Sequence, residues 1–255
     1  MANYILEAHR GVATEYPQNT MAAFRAAKVQ GYGMIELDTK FTADNHCVIF
    51  HDRVVNGIAR NQAGEKIDRE MPIASLTLQE VLALDVGLSF GEAFRGEKIP
   101  TLEEVLAFAV KEKMPLKFDN VIQSHTEKQR NIFFDTVERM GAIPWVGFTS
   151  NSTEFIGKIR MRFLAAQIHY DGAVTEESLA ALHTMVPEDL LTVWLRFDNA
   201  RTAWNKTPPV SATLSEMVHR VARLGVWLLE RREELEAAVQ KYNAQIIETD
   251  GSLKP

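Results

Sequence analysis

Two carboxylates, Glu36 and Asp38, stand two positions apart at the end of an apolar run. Successive side chains of a strand point to opposite faces, so both carboxylates share one face and Leu37 takes the other. Two carboxylates aimed inward would repel each other unless a cation or a proton lay between them. Oxygen ligands without a thiolate favour a hard ion, Mg²⁺ or Ca²⁺, over zinc. The spacing therefore predicts a site for one divalent cation.

Three further polar clusters follow apolar runs in the first half of the chain. They are His9-Arg10-Gly11, His51-Asp52 and Asp119-Asn120. In a barrel of parallel strands, the carboxyl ends of the strands and the loops after them form the catalytic face. We therefore expect these clusters to lie beside Glu36 and Asp38.

The elements that must position these residues alternate regularly along the chain. Short apolar runs alternate with amphipathic stretches, which is typical of βα units around a parallel sheet. The eight strand candidates are Tyr4–Ala8, Met34–Asp38, Pro115–Asp119, Trp145–Thr149, Phe163–Ile168, Leu191–Phe197, Val226–Leu229 and Gln245–Thr249. The pattern predicts an α/β protein with a (β/α)₈ TIM barrel.

Helix boundaries carry readable signals. A hydroxyl followed three residues later by an acid, or by its amide, can form a capping box. Such pairs begin at Thr77, Thr101, Thr126 and Thr213. Helix stops before the next strand are predicted at Gly31, Gly141 and Gly225, where a left-handed residue is wanted.

One interval is too long for a simple βα unit. About 60 residues separate His51 from the next strand candidate at Pro115. We interpret residues 52–98 as an insertion between the second and third βα units, with one short helix at Thr77–Leu84. The prediction is a single catalytic domain over residues 1–255, with a lid-like subdomain within it on the catalytic face.

Composition narrows the class of protein. The 255 residues are 46% hydrophobic and 24% charged, and the formal net charge is −6. This charge gives no reason to expect binding to nucleic acid or to an anionic membrane. The start of the sequence lacks the features of a signal peptide, and a lone Cys47 cannot form an internal disulfide. A cytoplasmic globular protein without stable membrane association is predicted.

The order and spacing of several short motifs resemble the glycerophosphodiester phosphodiesterase family, whose barrel is like that of phosphatidylinositol phospholipase C. The motifs are His9-Arg-Gly, Asn19-Thr20 after a proline, Glu36-x-Asp38, His51-Asp52, Leu76-Thr-Leu-Gln-Glu-Val, Leu84-Asp-Val-Gly and Ile99-Pro-Thr-Leu-Glu-Glu-Val-Leu. The resemblance is dense over residues 1–120. Beyond them, only Thr249-Asp250 is similar to the family's final strand.

The resemblance implies metal-dependent hydrolysis of glycerophosphodiesters to glycerol 3-phosphate and an alcohol. Glu36, Asp38 and Asp119 would hold one divalent cation, Mg²⁺ or Ca²⁺. Arg10 would bind the phosphate through two parallel hydrogen bonds. His9 and His51 would be the general acid and the general base, in an order that the sequence leaves open.

Three departures from the family pattern concern substrate preference. Gln18 replaces a usual glutamate, and Trp227-Leu-Leu-Glu230 replaces a usual Trp-Thr-Val-Asn. The family's Glu-x-Lys pair corresponds here to Asp119 and Val121. What replaces that lysine is left open, and Lys117, two residues before Asp119, is expected to support the site from beneath and not to contact the phosphate. Strand alternation puts Glu7 and Lys117 inside the barrel below His9 and Asp119, where we expect them to pair directly or through one bridging group, unless a bulge turns one outward.

Simpler interpretations stay open at several positions. His9 could be a core histidine, Asp119 a helix cap, and Glu36 with Asp38 part of an ion-pair cluster with Lys40. Arg196 could contact phosphate or be solvated. At the level of function, the alternatives are a related phosphodiesterase acting on lysophospholipids or sugar phosphodiesters, and a barrel that binds phosphodiesters without turnover. The oligomeric state is left open.

Overall fold

The computed structural model describes residues 4–197 and 207–255. The strands are β1 (Ile5–His9), β2 (Met34–Leu37), β3 (Thr39–Phe41), β4 (Cys47–Ile49), β5 (Leu116–Phe118), β6 (Val146–Ser150), β7 (Gln167–Tyr170), β8 (Leu191–Arg196), β9 (Arg223–Trp227) and β10 (Ile246–Thr249). The helices are α1 (Met21–Gln30), α2 (Leu78–Ala83), α3 (Leu102–Glu112), α4 (Glu127–Arg139), α5 (Thr153–Arg162), α6 (Glu176–Met185), α7 (Ala212–His219) and α8 (Arg232–Tyr242).

Eight of the described strands close into a parallel barrel, which confirms the predicted fold. The order around the barrel is β1, β2, β5, β6, β7, β8, β9 and β10, and β10 pairs with β1. The hairpin β3–β4 lies outside this barrel. Each of the eight predicted strands corresponds to one of the eight barrel strands. None of the helices in the described parts of the chain is long and apolar enough to cross a membrane.

Two strand boundaries differ from the prediction. The fifth barrel strand was expected at Phe163–Ile168, but β7 begins only at Gln167. Phe163 instead ends α5, and Leu164 in the following turn is 74% exposed. The apolar run therefore spans a helix end, a turn and a strand, which periodicity alone cannot separate. The seventh strand, β9, begins three residues before the predicted start.

Helix boundaries match the sequence signals at most positions. Capping boxes at Thr77, Thr101 and Thr126 are present, and Gly31 ends α1 in the left-handed conformation. The box predicted at Thr213 is wrong, because the Ser211 hydroxyl caps α7 two residues earlier. The helix stop predicted at Gly225 is also wrong. Gly225 lies within β9, where a Cβ atom would come 2.5 Å from the Trp194 ring.

The long interval forms a small layer with its own apolar cluster. It contains α2 and two single turns of 3₁₀ helix, at Ile73–Ser75 and Glu92–Phe94. The buried members of the cluster are Val48, Phe50, Val55, Ala59, Ile73, Leu76, Val81, Leu84, Val86 and Ile99. The segment joins β2 and its hairpin to α3. It therefore lies inside the second βα unit. The predicted position, between the second and third units, is wrong.

Candidate active site

One cavity at the carboxyl ends of the barrel strands contains all six residues predicted to transfer protons, to bind phosphate or to hold a cation. Its volume is about 140 Å³. Its lining includes His9, Arg10, Glu36, Asp38, His51 and Asp119. Because these residues come from β1, β2, β5 and the loop after β4, barrel closure is what brings them together. Arg196 is not in the lining of this cavity.

Each of the two histidines is held by an aspartate. His9 Nδ1 lies 2.6 Å from Asp250 Oδ1, and His51 Nδ1 lies 2.8 Å from Asp52 Oδ1. A carboxylate on Nδ1 fixes the ring and directs Nε2 elsewhere. His9 Nε2 is 3.8 Å from carboxylate oxygens of Glu36 and of Glu248. In both rings Nδ1 is thus occupied by a carboxylate, which leaves Nε2 for another partner.

Five carboxyl groups line the same cavity, and three of them are those predicted to hold a cation. Burial raises the pKa of Glu36 well above its usual value, and neighbouring Asp38 raises it further. Burial and Asp38 likewise raise the pKa of Asp119. Asp38 itself accepts a hydrogen bond of 2.9 Å from the Asn19 amide and lies 3.3 Å from Arg10 Nε. The site thus holds negative charge that burial and mutual repulsion disfavour.

As the side chains stand, no group of three or more His, Cys, Asp or Glu residues within 4–197 and 207–255 forms a site that could hold a metal ion. The donor set nevertheless suits a hard cation, since Glu36, Asp38 and Asp119 offer only carboxylate oxygens. A cation would also offset the repulsion that raises the pKa of Glu36 and Asp119.

The turn after β1 presents the arginine. Arg10 has a positive φ of 57° and Gly11 one of 82°. A Cβ atom at Gly11 would lie 2.7 Å from the Ala23 side chain, so that α1 approaches too closely for any other residue. Arg10 Nη1 donates to Gln18 Oε1 over 2.9 Å. Gln18, where the family usually has glutamate, therefore positions the guanidinium without adding a charge.

The predicted pairing of Lys117 with Glu7 inside the barrel is confirmed. Lys117 Nζ lies 2.5 Å from Glu7 Oε1 and 2.5 Å from Glu248 Oε2, and 3.7 Å from the centre of the Trp194 ring. Sequence reasoning missed Glu248, which β10 places beside Glu7 in the β1–β10 register. Lys117 also lines the active-site cavity, so the strand supplies a cation two residues before Asp119.

The two carboxyl groups beside Lys117 have opposite pKa shifts. Burial raises the pKa of Glu7 to about 8. Burial alone would also raise the pKa of Glu248, but the Lys117 ammonium lowers it to about 2. At neutral pH the cluster therefore carries one proton on Glu7, a charged Glu248 and a charged Lys117, so that its net charge is zero.

This arrangement predicts a pH dependence of stability. The folded-state pKa of Glu7 is raised from 4.5 to about 8. The contribution of the protonated Glu7 side chain to the free energy of unfolding is therefore complete below pH 4.5, and it is lost as the pH rises through about 8. We expect Glu7→Gln, which keeps an uncharged amide, to flatten this decline by about 1–3 kcal/mol. Urea unfolding across this window, without divalent cations, would measure it, with the exposed Glu177→Gln as control. Parallel curves for Glu7→Gln and the unsubstituted protein would contradict it.

Two other polar residues in the cavity were not identified from the sequence. Asp171 follows β7, and burial together with the Asp119 charge raises its pKa to about 7. The Asn120 amide donates to Asp171 over 2.5 Å. Thr149 lies on β6 and also lines the cavity. Asp171 follows a tyrosine at the end of a strand, a position that could have indicated it once the β7 boundary was placed correctly.

The known proteins that this chain resembles belong to one family. A sequence model described as "Glycerophosphoryl diester phosphodiesterase family" matches residues 9–161. A glycerophosphodiester phosphodiesterase of Caldanaerobacter subterraneus subsp. tengcongensis is 45% identical over 98 residues, which are 38% of this chain and 37% of that protein. Another, from Bacillus altitudinis, is 30% identical over 189 residues, 73% of this chain and 64% of that protein. The matched region thus spans less than two thirds of either relative.

A solved structure supports the fold over a longer range. A phosphodiesterase from Oleispira antarctica, in complex with the product sn-glycerol-3-phosphate, superposes with a TM-score of 0.73 at 19% identity. The alignment covers 97% of this chain and 93% of that one. At this level of identity, the similarity concerns the barrel alone.

Proposed function

The chain belongs to the glycerophosphoryl diester phosphodiesterase family, and on that premise we propose that it hydrolyses glycerophosphodiesters to glycerol 3-phosphate and an alcohol. One observation carries the proposal. Two histidines, each held by an aspartate, share a cavity with an arginine and five acidic residues, among them Glu36, Asp38 and Asp119. General acid–base catalysis needs one group to take a proton and another to supply one. A protein that only bound phosphodiesters would need neither histidine oriented in this way.

We propose that Glu36, Asp38 and Asp119 hold one divalent cation, either Mg²⁺ or Ca²⁺. Their oxygens suit both ions. When bound, the cation would offset charge on a phosphoryl oxygen and lower the pKa of the attacking hydroxyl. Arg10 now contacts Asp38, and we propose that its guanidinium binds the phosphate of the substrate instead.

Proton transfer is assigned to His9 and His51 through their Nε2 atoms. One would accept a proton from the attacking glycerol hydroxyl, and the other would donate one to the departing alcohol. The cyclic phosphate that results would then be opened by water with the roles reversed. Asp250 and Asp52 would keep the rings in place, as their contacts with Nδ1 support.

The test of this function is turnover of a panel of glycerophosphodiesters with Mg²⁺ or Ca²⁺, measured by release of sn-glycerol 3-phosphate. Lysophospholipids and sugar phosphodiesters form separate arms of the panel, in which release of the corresponding phosphomonoester is measured. We expect the fastest turnover on a glycerophosphodiester and its loss in a chelator. Preference for either other arm would favour a related phosphodiesterase. Binding of a diester without turnover under any condition would identify a non-catalytic barrel.

Removal of one proposed ligand should weaken the cation site. Asp119→Asn replaces a charged oxygen with an amide of the same shape, so we expect a cation dissociation constant raised by about tenfold or more, with the fold kept. Titration of the purified protein with Mg²⁺ or Ca²⁺ would measure it. Asp68→Asn, at an exposed carboxylate of the long segment, is the control. Unchanged cation affinity in Asp119→Asn would refute the ligand assignment.

We also propose that residues 52–98 act as a lid that shapes the pocket for the alcohol. The segment follows His51 directly and packs against the loop after β1, where the rings of Tyr16 and Phe94 are 5.4 Å apart. A cavity of about 310 Å³ lies between the two, lined by Gln18, Phe90 and others. Since Gln18 accepts a hydrogen bond from Arg10, this cavity adjoins the proposed phosphate position.

The lid proposal predicts a change in selectivity on removal of one ring. Phe90 is 44% exposed, so Phe90→Ala should leave the fold intact while changing the relative kcat/KM of diesters with bulky and small alcohols by about threefold to tenfold. Leu164→Ala, at an exposed apolar residue beyond α5, is the control. An equal loss on all diesters, or no loss on any, would argue against a role in alcohol selection.

Replacing the whole segment would be a less direct test, because Val48 and Ile99 at its borders belong to the same apolar cluster. The cytoplasmic location, and the expectation of neither a nucleic-acid partner nor stable membrane association, stay predictions from the sequence.

A further inference from the structure

The cavity of about 310 Å³ between the loop after β1 and residues 52–98 has a largely apolar wall. Most of this wall consists of apolar side chains and one glycine, at Ala13, Pro17, Gly57, Ile58, Val86 and Phe90. Among the described residues, the lining includes two with polar side chains, Gln18 and Ser89, and none with a charge. Because a cavity of about 150 Å³ accepts a molecule of benzene size, this one has room for about ten non-hydrogen atoms.

Both walls of this cavity belong to segments that also reach the proposed active site. Arg10 and His51 line the active-site cavity. The loop that begins at Arg10 continues to Gln18, whose Oε1 accepts a hydrogen bond of 2.9 Å from Arg10 Nη1. The segment that follows His51 supplies Ile58 to the wall of the apolar cavity. A group joined to a phosphate on Arg10 can therefore extend past Gln18 into this cavity.

The acidic residue nearest in sequence to the lining is occupied by the backbone. Asp85 Oδ1 accepts from the N–H groups of Gly87 and Leu88, each over 2.9 Å. Its Oδ2 accepts from the N–H group of Gly96 over 2.8 Å. These three hydrogen bonds fix the turn that presents Phe90 to the cavity. They also leave the Asp85 carboxylate, which is 8% exposed, unsuited to bind a cation there.

A cationic alcohol such as choline would therefore find no counter-ion in this cavity. Glu15, the acid in the loop after β1, is paired with Lys254 at 2.5 Å and is not in the lining. Moving a charge from water to an apolar site without a partner costs free energy, and one ring, that of Phe90, offers only a weak cation–π attraction. A polyol would likewise leave hydroxyl groups without partners, because Gln18 Oε1 already accepts from Arg10.

We propose that the departing group of the preferred substrate is an uncharged, mainly apolar alcohol of up to about ten non-hydrogen atoms. Its alkyl group would lie against Ile58 and Phe90, where it leaves water and stabilises the complex in proportion to the apolar area that it buries. This inference rests on the proposed hydrolysis and names the class of diester on which the site acts.

The test compares two diesters of the same shape that differ in one charge. They are sn-glycerol 3-phosphocholine and the corresponding diester of 3,3-dimethylbutan-1-ol, in which carbon replaces the quaternary nitrogen. We expect kcat/KM to be at least about tenfold higher for the neutral diester, because the cavity holds no counter-ion. Choline is intrinsically the better leaving group, since its positive charge stabilises the departing alkoxide, so the chemistry alone would give the opposite order. Release of sn-glycerol 3-phosphate by the unsubstituted protein at saturating cation would measure both rates.

An acid added to the wall should shift this preference towards choline. Ser89 is exposed and lines the cavity. We therefore expect Ser89→Asp to keep the fold and to raise kcat/KM for the choline diester, relative to that for its neutral isostere, by about fivefold or more. Ser75→Asp adds the same charge at an exposed serine of the same segment outside the lining, and it should leave the ratio unchanged.

The possible outcomes separate this inference from the proposed function. Equal kcat/KM for the two diesters, or a preference of the unsubstituted protein for the choline diester, would overturn the apolar alcohol and leave the proposed hydrolysis standing. The same conclusion would follow if Ser89→Asp and Ser75→Asp changed the ratio equally. Absence of turnover of every diester would overturn both proposals.

Discussion

Alanine at His9 or at His51 is expected to lower kcat on a glycerophosphodiester by about 10²-fold or more, because each ring is assigned one proton transfer in the transition state. The double variant should lose less than the product of the two single losses, since both groups act in one event. KM and cation affinity should change little. The measurement is steady-state turnover at saturating cation, with folding checked by thermal unfolding.

Matched controls make this result specific. His46→Ala alters a histidine that is also paired with an aspartate, 3.3 Å from Asp44, but lies outside the cavity lining. It should keep full activity. An analogue with a p-nitrophenol leaving group needs no proton on departure, so it should restore turnover in the variant that lacks the general acid and not in the other. Activity retained by either single variant on an unactivated diester would refute the pair.

Lys117→Met is expected to destabilise the fold by about 3–5 kcal/mol, because it removes one member of a buried ion pair and leaves its partner charged. Glu7, Lys117 and Glu248 are all buried, with exposures of 0%, 5% and 6%. Replacement of an exposed lysine, Lys158→Met, should cost no more than about 0.5 kcal/mol. Urea unfolding of cation-free protein would give the free energies.

Double variants identify the charged partner of Lys117. Because the Lys117 ammonium lowers the pKa of Glu248, whereas the pKa of Glu7 stays raised, Glu248 is the carboxylate that loses its counter-ion in Lys117→Met. Adding Glu248→Gln should therefore recover more stability than adding Glu7→Leu. A loss below about 1 kcal/mol for Lys117→Met would contradict a buried pair. So would a Lys117→Met/Glu248→Gln protein no more stable than the worse single variant.

The pairing of Glu7 with Lys117 could be predicted from the alternation of side chains along the strands. Both side chains were placed inside the barrel from their spacing to His9 and Asp119 alone. Glu248 was missed although its strand was predicted, because register between β1 and β10 depends on barrel closure and not on local pattern. Asp250 was likewise seen as a motif residue but not as the partner of His9.

The residues that sequence reasoning placed wrongly share a cause. His169 was outside the predicted strand because the apolar run from Phe163 concealed a turn. Gly225 was taken for a helix stop, whereas the bulk of Trp194 requires a glycine inside the strand. At Thr213 the sequence fits a capping box, but Ser211 two residues earlier is also a favourable N-cap residue, and the structure uses Ser211. In each case a tertiary neighbour decided between two locally acceptable structures.

The seam between β1 and β10 has a consequence for how the protein folds. His9 and Asp250 are 241 positions apart, and the strands that carry them must meet across nearly the whole chain. Contacts of such separation form late, since the entropy of closing the loop is lost before they contribute. Until they form, β1 and β10 each present an unpaired edge, on which partly folded chains can associate. The orientation of His9 and the sealing of the barrel thus arise in one kinetic event, and the return of turnover during refolding would time it.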